Sequence, residues 1–374
     1  MLNRVELLEA LASVSGSLFV DNSNAYALAR RIWQAIVDDE EFLTKARRIE
    51  TKWTIPSWSG DLDLAIPVEA ASGTYQIVSV DGSQVYPDRH QGTSCYLINI
   101  GSVVIHYGSP VNPVTFNSRP TVFVSTDGEC YQEANIHEVI NCRRQELELV
   151  GGLTVMRSVQ ERNKATLLLF DGSLVFWNLE AKDSVLTDLF LPNYLATLYQ
   201  LYQSRSMYAG YISLPKSREL VNLVRLALCD FDVDNTQLYD VIDPVVDATI
   251  ASFFLTPHTR TGVFCNNATI SRLYPDALRP HFFYLHVGEE IGRVEIPGWI
   301  AADEVLVNQV ASLILDQSIK GAGYPVALAE AHEQAVVKGP DRDFFYHALY
   351  KEGLTHDRAI NMSGKVLRKR RIGI

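Results

Sequence analysis

No apolar run in this chain of 374 residues approaches the length of a membrane span, so a bilayer-crossing helix has no candidate. Its first residues, Met1-Leu-Asn-Arg-Val-Glu, lack the basic-then-apolar layout of a signal peptide. Cysteine is sparse and scattered, at Cys95, Cys130, Cys142, Cys229 and Cys265, with no Cys-x-x-Cys. That usage argues against a zinc site and suits a reducing cytoplasm. Low-complexity tracts and solenoid-type repeats are also missing. So is Gly-x-x-x-x-Gly-Lys-Ser/Thr, and nucleotide hydrolysis through a P-loop is therefore not expected. Net positive charge is lacking too. A value of −11 counts against a protein that coats nucleic acid electrostatically, but it leaves room for an enzyme with a narrow, locally basic channel.

Two stretches resemble each other: Gln76-Ile-Val-Ser-Val-Asp-Gly-Ser83 and Leu167-Leu-Leu-Phe-Asp-Gly-Ser173. Each is an apolar, β-branched run stopped by Asp-Gly-Ser and reads as a buried strand closed by a glycine turn. Asp81 and Asp171 are thus expected at the ends of two core strands, where an open α/β sheet presents ligands. Carboxylates held there suit Mn²⁺ or Mg²⁺, which take hard oxygen ligands and keep room for water and phosphate. A lone Asp-Gly is a common turn; the repetition favours a shared task.

The chain is long enough for one large domain or two modest ones. Helical spacing covers residues 3 to 50, with Asn22-Ser-Asn as a break, and an N-terminal helical segment of 1–60 is expected. Trp53 to about Ser72 reads as a connector. Strands follow at 75–81, 95–107 and 121–125, then a helix over 133–150, with continuation past Gly151-Gly152 left open, the second Asp-Gly-Ser strand, a helix over 184–204 and a strand over 207–213. This order implies a mixed sheet with helices on both faces, the layout of ribonuclease-H-like nucleases. Residues 217–280 are expected as a mostly helical insertion within a nuclease domain of 73–345. A strand pair near 283–296 and a helix near 302–318 come next. The tail, 346–374, carries the one dense basic run, Lys365-Val-Leu-Arg-Lys-Arg-Arg371, expected to be solvated or to meet phosphate or an acidic partner.

A metal-dependent nuclease needs a third carboxylate. The helix between the acidic strands offers Glu146 and Glu148. At about 100° per residue, the apolar stripe of Ile136, Val139, Ile140, Leu147 and Val150 is centred roughly 70° from Glu146 and roughly 130° from Glu148. Phase therefore favours Glu146. Tyr324 and His332 flank a helix opened by Pro325, and such a His can protonate a leaving oxygen or contact phosphate. By itself a helical His is more often a surface residue. His332-Glu333 starts no zinc-protease motif, because position 336 is Val.

With these residues in view, the chain resembles the NurA nucleases. Val80-Asp-Gly-Ser83 and Phe170-Asp-Gly-Ser-Leu174 look like that family's first two motifs, and Ile212-Ser-Leu-Pro-Lys-Ser217 is similar to a Ser-Lys segment. Arg293-Val-Glu-Ile-Pro297 and Gly323-Tyr-Pro-x-x-Leu-x-x-Ala-His332 look like C-terminal blocks. The resemblance implies manganese-dependent cleavage of DNA, a ring-like homodimer and partnership with a hexameric HerA-type ATPase. It carries Asp81, Asp171, Tyr324 and His332 over as site residues, and one of Glu146 and Glu148. Pro215 departs from the pattern, which leaves the role of Lys216 open. Two other functions compete. One is an inactive scaffold of the same fold that docks a motor. The other is an actin-like or sugar-kinase-type ATPase, which would want a duplicated strand-strand-strand-helix unit that the sequence does not display.

Overall fold

The computed structural model describes residues 2–18, 20–87, 95–108, 111, 113–124, 136–159, 164–180 and 184–355. Helices α1 (Arg4–Ser13), α2 (Ser23–Ile36) and α3 (Glu40–Ala46) come first, with Asn3 and Asp39 side chains accepting the free N–H groups of α1 and α3. The expected connector holds two short strands, β1 (Ser57–Trp58) and β2 (Ile66–Pro67). A meander of β3 (Tyr75–Val85), β4 (Cys95–Tyr107) and β5 (Val114–Val124) follows. Next are α4 (Ile136–Val159), β6 (Ala165–Asp171), α5 (Ser184–Gln203) and β7 (Met207–Ile212). The remainder is α6 (Glu219–Leu228), α7 (Asp247–Ala251), β8 (Thr259–Arg260), β9 (Phe264–Cys265), β10 (Pro280–His286) and β11 (Ile291–Pro297). The last helices are α8 (Gly298–Ala301), α9 (Glu304–Lys320), α10 (Val326–Ala335) and α11 (Gly339–Thr355).

Among the described residues these strands make one mixed sheet in the order β1-β9-β10-β11-β7-β6-β3-β4-β5, with β2 and β8 branching from β10. Only β3–β6 and β6–β7 are parallel. Alternation along the central strands sorts side chains to two faces. Ile77, Leu167, Leu169, Ala209 and Tyr211 pack with α9 and α10. Val78, Val80, Leu168, Phe170 and Tyr208 pack with α4 and α5. A third core joins α2, α3 and α6 to Phe282 and Tyr284 of β10. No helix among the described residues is long and apolar enough to cross a membrane.

Several boundaries differ from the sequence expectation. β3 does not stop at Asp81 but runs to Val85, because β4 pairs with it through Val85↔Leu97. β5 starts at Val114 and tolerates Pro120, since only β4 pairs with it and the proline's missing N–H costs no ladder bond on an edge strand. α4 takes the continuation the sequence left open, running through Gly151 and Gly152 to Val159, and Gly152 lies against the side chains of Leu168 and Phe170. Residues 217–280 are not mostly helical: beyond α6 and the short α7 they hold 3-10 turns and the two strands that join the sheet. The tail begins as helix, and Lys365 to Arg371 lie outside the described residues.

Candidate active site

The register of the two parallel strands places the aspartates. β3 and β6 pair from Tyr75↔Ala165 to Val80↔Phe170, and one step further Asp81 stands beside Asp171. Neighbouring strands lie about 4.8 Å apart. Both aspartates share parity with Ile77 and Leu169 and so belong to the face covered by α9 and α10.

α10 reaches that face because of Gly101, the β4 partner of Asp81. A Cβ at Gly101 would lie 2.3 Å from the Ala335 backbone nitrogen and 2.7 Å from the Ala331 carbonyl. Only glycine lets the helix settle this close. Ser83 Oγ donates to the Ala335 carbonyl at 2.5 Å, and Asn99 Nδ2 to the same oxygen at 2.8 Å, closing the helix end onto the sheet. His332 is thereby set over β3, its Nδ1 2.8 Å from Asp81 Oδ2, with the imidazole still largely exposed. Ahead of α10, Ala322 and Gly323 turn the chain with φ of 54° and 110°. The Tyr324 ring then meets Tyr211 edge-on at 5.9 Å, and its hydroxyl lies on the side of Asp171, whose carboxyl it influences.

The third carboxylate arrives from the opposite face. Glu148 crosses Gly82: a Cβ there would sit 2.6 Å from Glu148 Oε1 and 2.9 Å from Arg144 Cγ. Arg144, one turn earlier on α4, is ion-paired to Glu148 and reaches the Gly82 carbonyl at 3.4 Å. Burial, and then the charges of Asp81 and Asp171, push the Glu148 carboxyl up to about 7, although Arg144 opposes them. Asp171 is raised as well, first by burial and then by Asp81, against the Tyr324 hydrogen bond. Burial and the Asp171 charge keep the Tyr324 hydroxyl protonated.

The structure therefore brings together Asp81, Asp171, Tyr324 and His332, and with them Glu148. Glu146, the residue favoured by phase, is held elsewhere: it is buried and pairs with Arg143 at 2.7 Å, and that guanidinium lies over the Phe190 ring of α5. The reason is that the buried stripe of α4 is shared between the sheet and α5, so its centre does not point at β3. A signal for Glu148 was present: Asn141, Arg144 and Glu148 form a polar stripe at i, i+3, i+7, and Asn141 meets Gln84 and Tyr86 beside β3. Among the described residues, no three acid, His or Cys side chains already converge on a metal-binding point.

A cavity of about 190 Å³ opens beside the cluster, lined by Arg144, Glu148, Asp171, Ser173 and Trp177 among others. Residues of the second Asp-Gly-Ser segment and of the Arg293–Pro297 block shape its rim. Gly172, at φ 122°, donates its N–H to the Tyr211 carbonyl and turns the chain. Ser173 Oγ and the Leu174 N–H then donate to Glu295 Oε2 at 2.6 and 2.8 Å. Glu295 and Glu219 share the buried Arg293, which pairs with both away from water. Lys216 stands apart from the carboxylates, on the wall of a neighbouring cavity.

A mixed sheet flanked by helices, with acids aligned on adjacent parallel strands, defines an α/β protein with a carboxylate cluster at its strand ends. The model of the NurA domain matches residues 75–337, well over half of the chain, and the chain belongs to the NurA family. No curated protein matches it. Among solved structures it is similar to a crystal structure of NurA at 11% identity, over 88% of this chain and 97% of that one, with a TM-score of 0.39. It is also similar to NurA bound to dAMP and manganese, at 13% identity over 82% and 93% with a TM-score of 0.31, and to Drosophila Piwi, at 8% over 69% and 29% with a TM-score of 0.28.

Proposed function

We propose that the protein is a metal-dependent nuclease that hydrolyses phosphodiester bonds of DNA at Asp81, Asp171 and Glu148. The observation that carries the reading is the side-by-side placement of Asp81 and Asp171, with Glu148 entering across Gly82. Burial first, and then the charge of neighbouring carboxylates, raises the proton affinity of Glu148 and Asp171 here. A divalent cation relieves that repulsion, and the all-oxygen donor set fits Mn²⁺ or Mg²⁺ rather than zinc. Asp81, Asp171 and Glu148 would hold it, with Arg144 as the counter-charge it replaces; Glu146 stays with Arg143. Cations bound there supply activation of water and stabilisation of the leaving oxygen, in pairs under a two-metal scheme.

The protein's own groups do the rest. Asp81 fixes His332 through Nδ1, leaving the other ring nitrogen to carry a proton to a leaving oxygen or to contact phosphate. The Tyr324 hydroxyl, beside Asp171, lowers that carboxyl's proton affinity. The strand order β5-β4-β3-β6-β7, with helices on both faces, is what a ribonuclease-H-like reading requires. Family membership supports a HerA-type hexameric ATPase as partner, as does the lack of a P-loop in the sequence. Among the described residues β5 is an edge strand, and the exposure of Val114, Phe116, Val122 and Val124 on it supports a homodimer. The test is degradation of linear and plasmid DNA with Mn²⁺, Mg²⁺ or EDTA and no ATP. Cleavage that needs the metal is expected; intact DNA under every condition would leave an inactive scaffold or an actin-like or sugar-kinase-type ATPase instead.

A further inference from the structure

Beside the carboxylate cluster lies a second cavity, of about 370 Å³, whose wall includes Thr54, Trp177, Lys216, Ser217, Arg218 and Asn222. Trp177 lines both cavities. We infer that this second cavity is a subsite for single-stranded nucleic acid, with a base stacked on Trp177 and a phosphate held by Lys216, next to the position where the strand is cut. The inference rests on the nuclease reading for what happens next door, but the binding it describes is measurable without cleavage.

Trp177 is 43% exposed, unusual for the largest apolar side chain. Its indole N–H donates to Ser173 Oγ at 2.9 Å, and that serine donates to Glu295. The ring is thus fixed by the turn that follows Asp171, its polar edge is satisfied, and its apolar body stays open. Such a ring is what a base needs, because stacking accepts any base once it has left its duplex partner. The cations of the cavity differ in what they already hold. Arg293 is buried between Glu219 and Glu295, and Arg218 grips Asp243. Lys216 is exposed and makes no ion pair among the described residues, so its charge is available to a phosphate. Leu214, at φ 44°, and Pro215 form the turn that presents it. The volume suits one nucleotide. A chain of net charge −11 gains affinity more readily from stacking than from a broad basic surface.

Fluorescence anisotropy of labelled oligo(dT), oligo(rU) and a blunt duplex, with full-length protein in Ca²⁺, tests the subsite. Trp177→Ala should weaken oligo binding about tenfold or more, and Trp177→Phe should recover most of it. Lys216→Ala should lower the salt slope of binding by about one. Preference for oligo(dT) or oligo(rU) identifies the sugar, and either supports the subsite. Unchanged single-strand affinity in Trp177→Ala, equal losses for duplex and single strand, or no single-strand binding by the wild type would each overturn it. Mn²⁺-dependent cleavage is scored separately. Trp177-dependent binding without any cleavage by the wild type would remove the nuclease reading and keep the subsite. Cleavage without Trp177 dependence would do the reverse.

Discussion

After Asp81 the chain stays extended, Gly82 and Ser83 continuing β3 against Ile100 and Asn99 of β4. After Asp171 it turns, Gly172 taking φ of 122° and closing onto the Tyr211 carbonyl. The two segments share Asp-Gly-Ser, yet their glycines serve different ends. Gly172 supplies a backbone angle that L side chains rarely adopt, and its absent side chain touches nothing within 4 Å. Gly82 has ordinary backbone and supplies space, which Glu148 and Arg144 fill. The partner strand decides: β4 is long enough to carry β3 past its aspartate, whereas β6 ends with its last pair, Asp171↔Tyr211.

The largest effect should come from the part the segments share. Asp81→Asn and Asp171→Asn are each expected to lower Mn²⁺-dependent cleavage by about a hundredfold to a thousandfold or more with melting temperature nearly kept. Full activity in either variant would break the equivalence of the two aspartates.

Next is the residue that only the first segment admits. Glu148→Gln should approach the aspartate variants in loss of cleavage, while Glu146→Gln should act mainly on stability by leaving Arg143 unpaired. The opposite ranking, measured by single-turnover cleavage and thermal melts, would return the third carboxylate to Glu146.

The glycines sharpen the contrast directly. Gly172→Ala should cost about 1–3 kcal/mol of stability through strain at a positive φ. In Gly82→Ala, the added Cβ presses on the far ends of flexible side chains, so the fold should survive while Glu148 is displaced and cleavage falls. Similar losses of melting temperature in both would show that the two glycines do the same work.

The smallest effect is in pH dependence. With its folded pKa raised to about 7 from 4.5, Glu148 binds more protons in the folded than in the unfolded protein across that window. Its contribution to the metal-free protein is therefore most favourable below pH 4.5 and is lost as pH rises through 7. The melting temperature of metal-free protein relative to Glu148→Gln should fall between pH 5 and 8, and Mn²⁺ uptake below pH 7 should release protons. A difference that stays flat with pH would contradict the shift.

Much was legible locally. Apolar runs and helical spacing located β4, β6, β7, α5 and α9 within a few residues, and Asp81, Asp171, Tyr324 and His332 stood out by residue type and motif, because strand burial and turn chemistry are written in neighbouring residues. Other features depend on partners distant in the chain. β8 and β9 are two-residue strands, too short to show a period, and exist because β10 offers them an edge. Phase ranked Glu146 above Glu148, whereas the structure sets Glu148 beside Gly82, because helical phase reports which side of α4 is buried, not which of its two packing neighbours, the sheet or α5, lies on the side of the aspartates. Gly82 looked like punctuation in the sequence; it and Gly101 are the clearances through which Glu148 and His332 approach the aspartates from opposite faces of the sheet. Residue chemistry and local periodicity come from the sequence itself, whereas convergence from two faces depends on strand register and helix approach, which only the packed sheet sets.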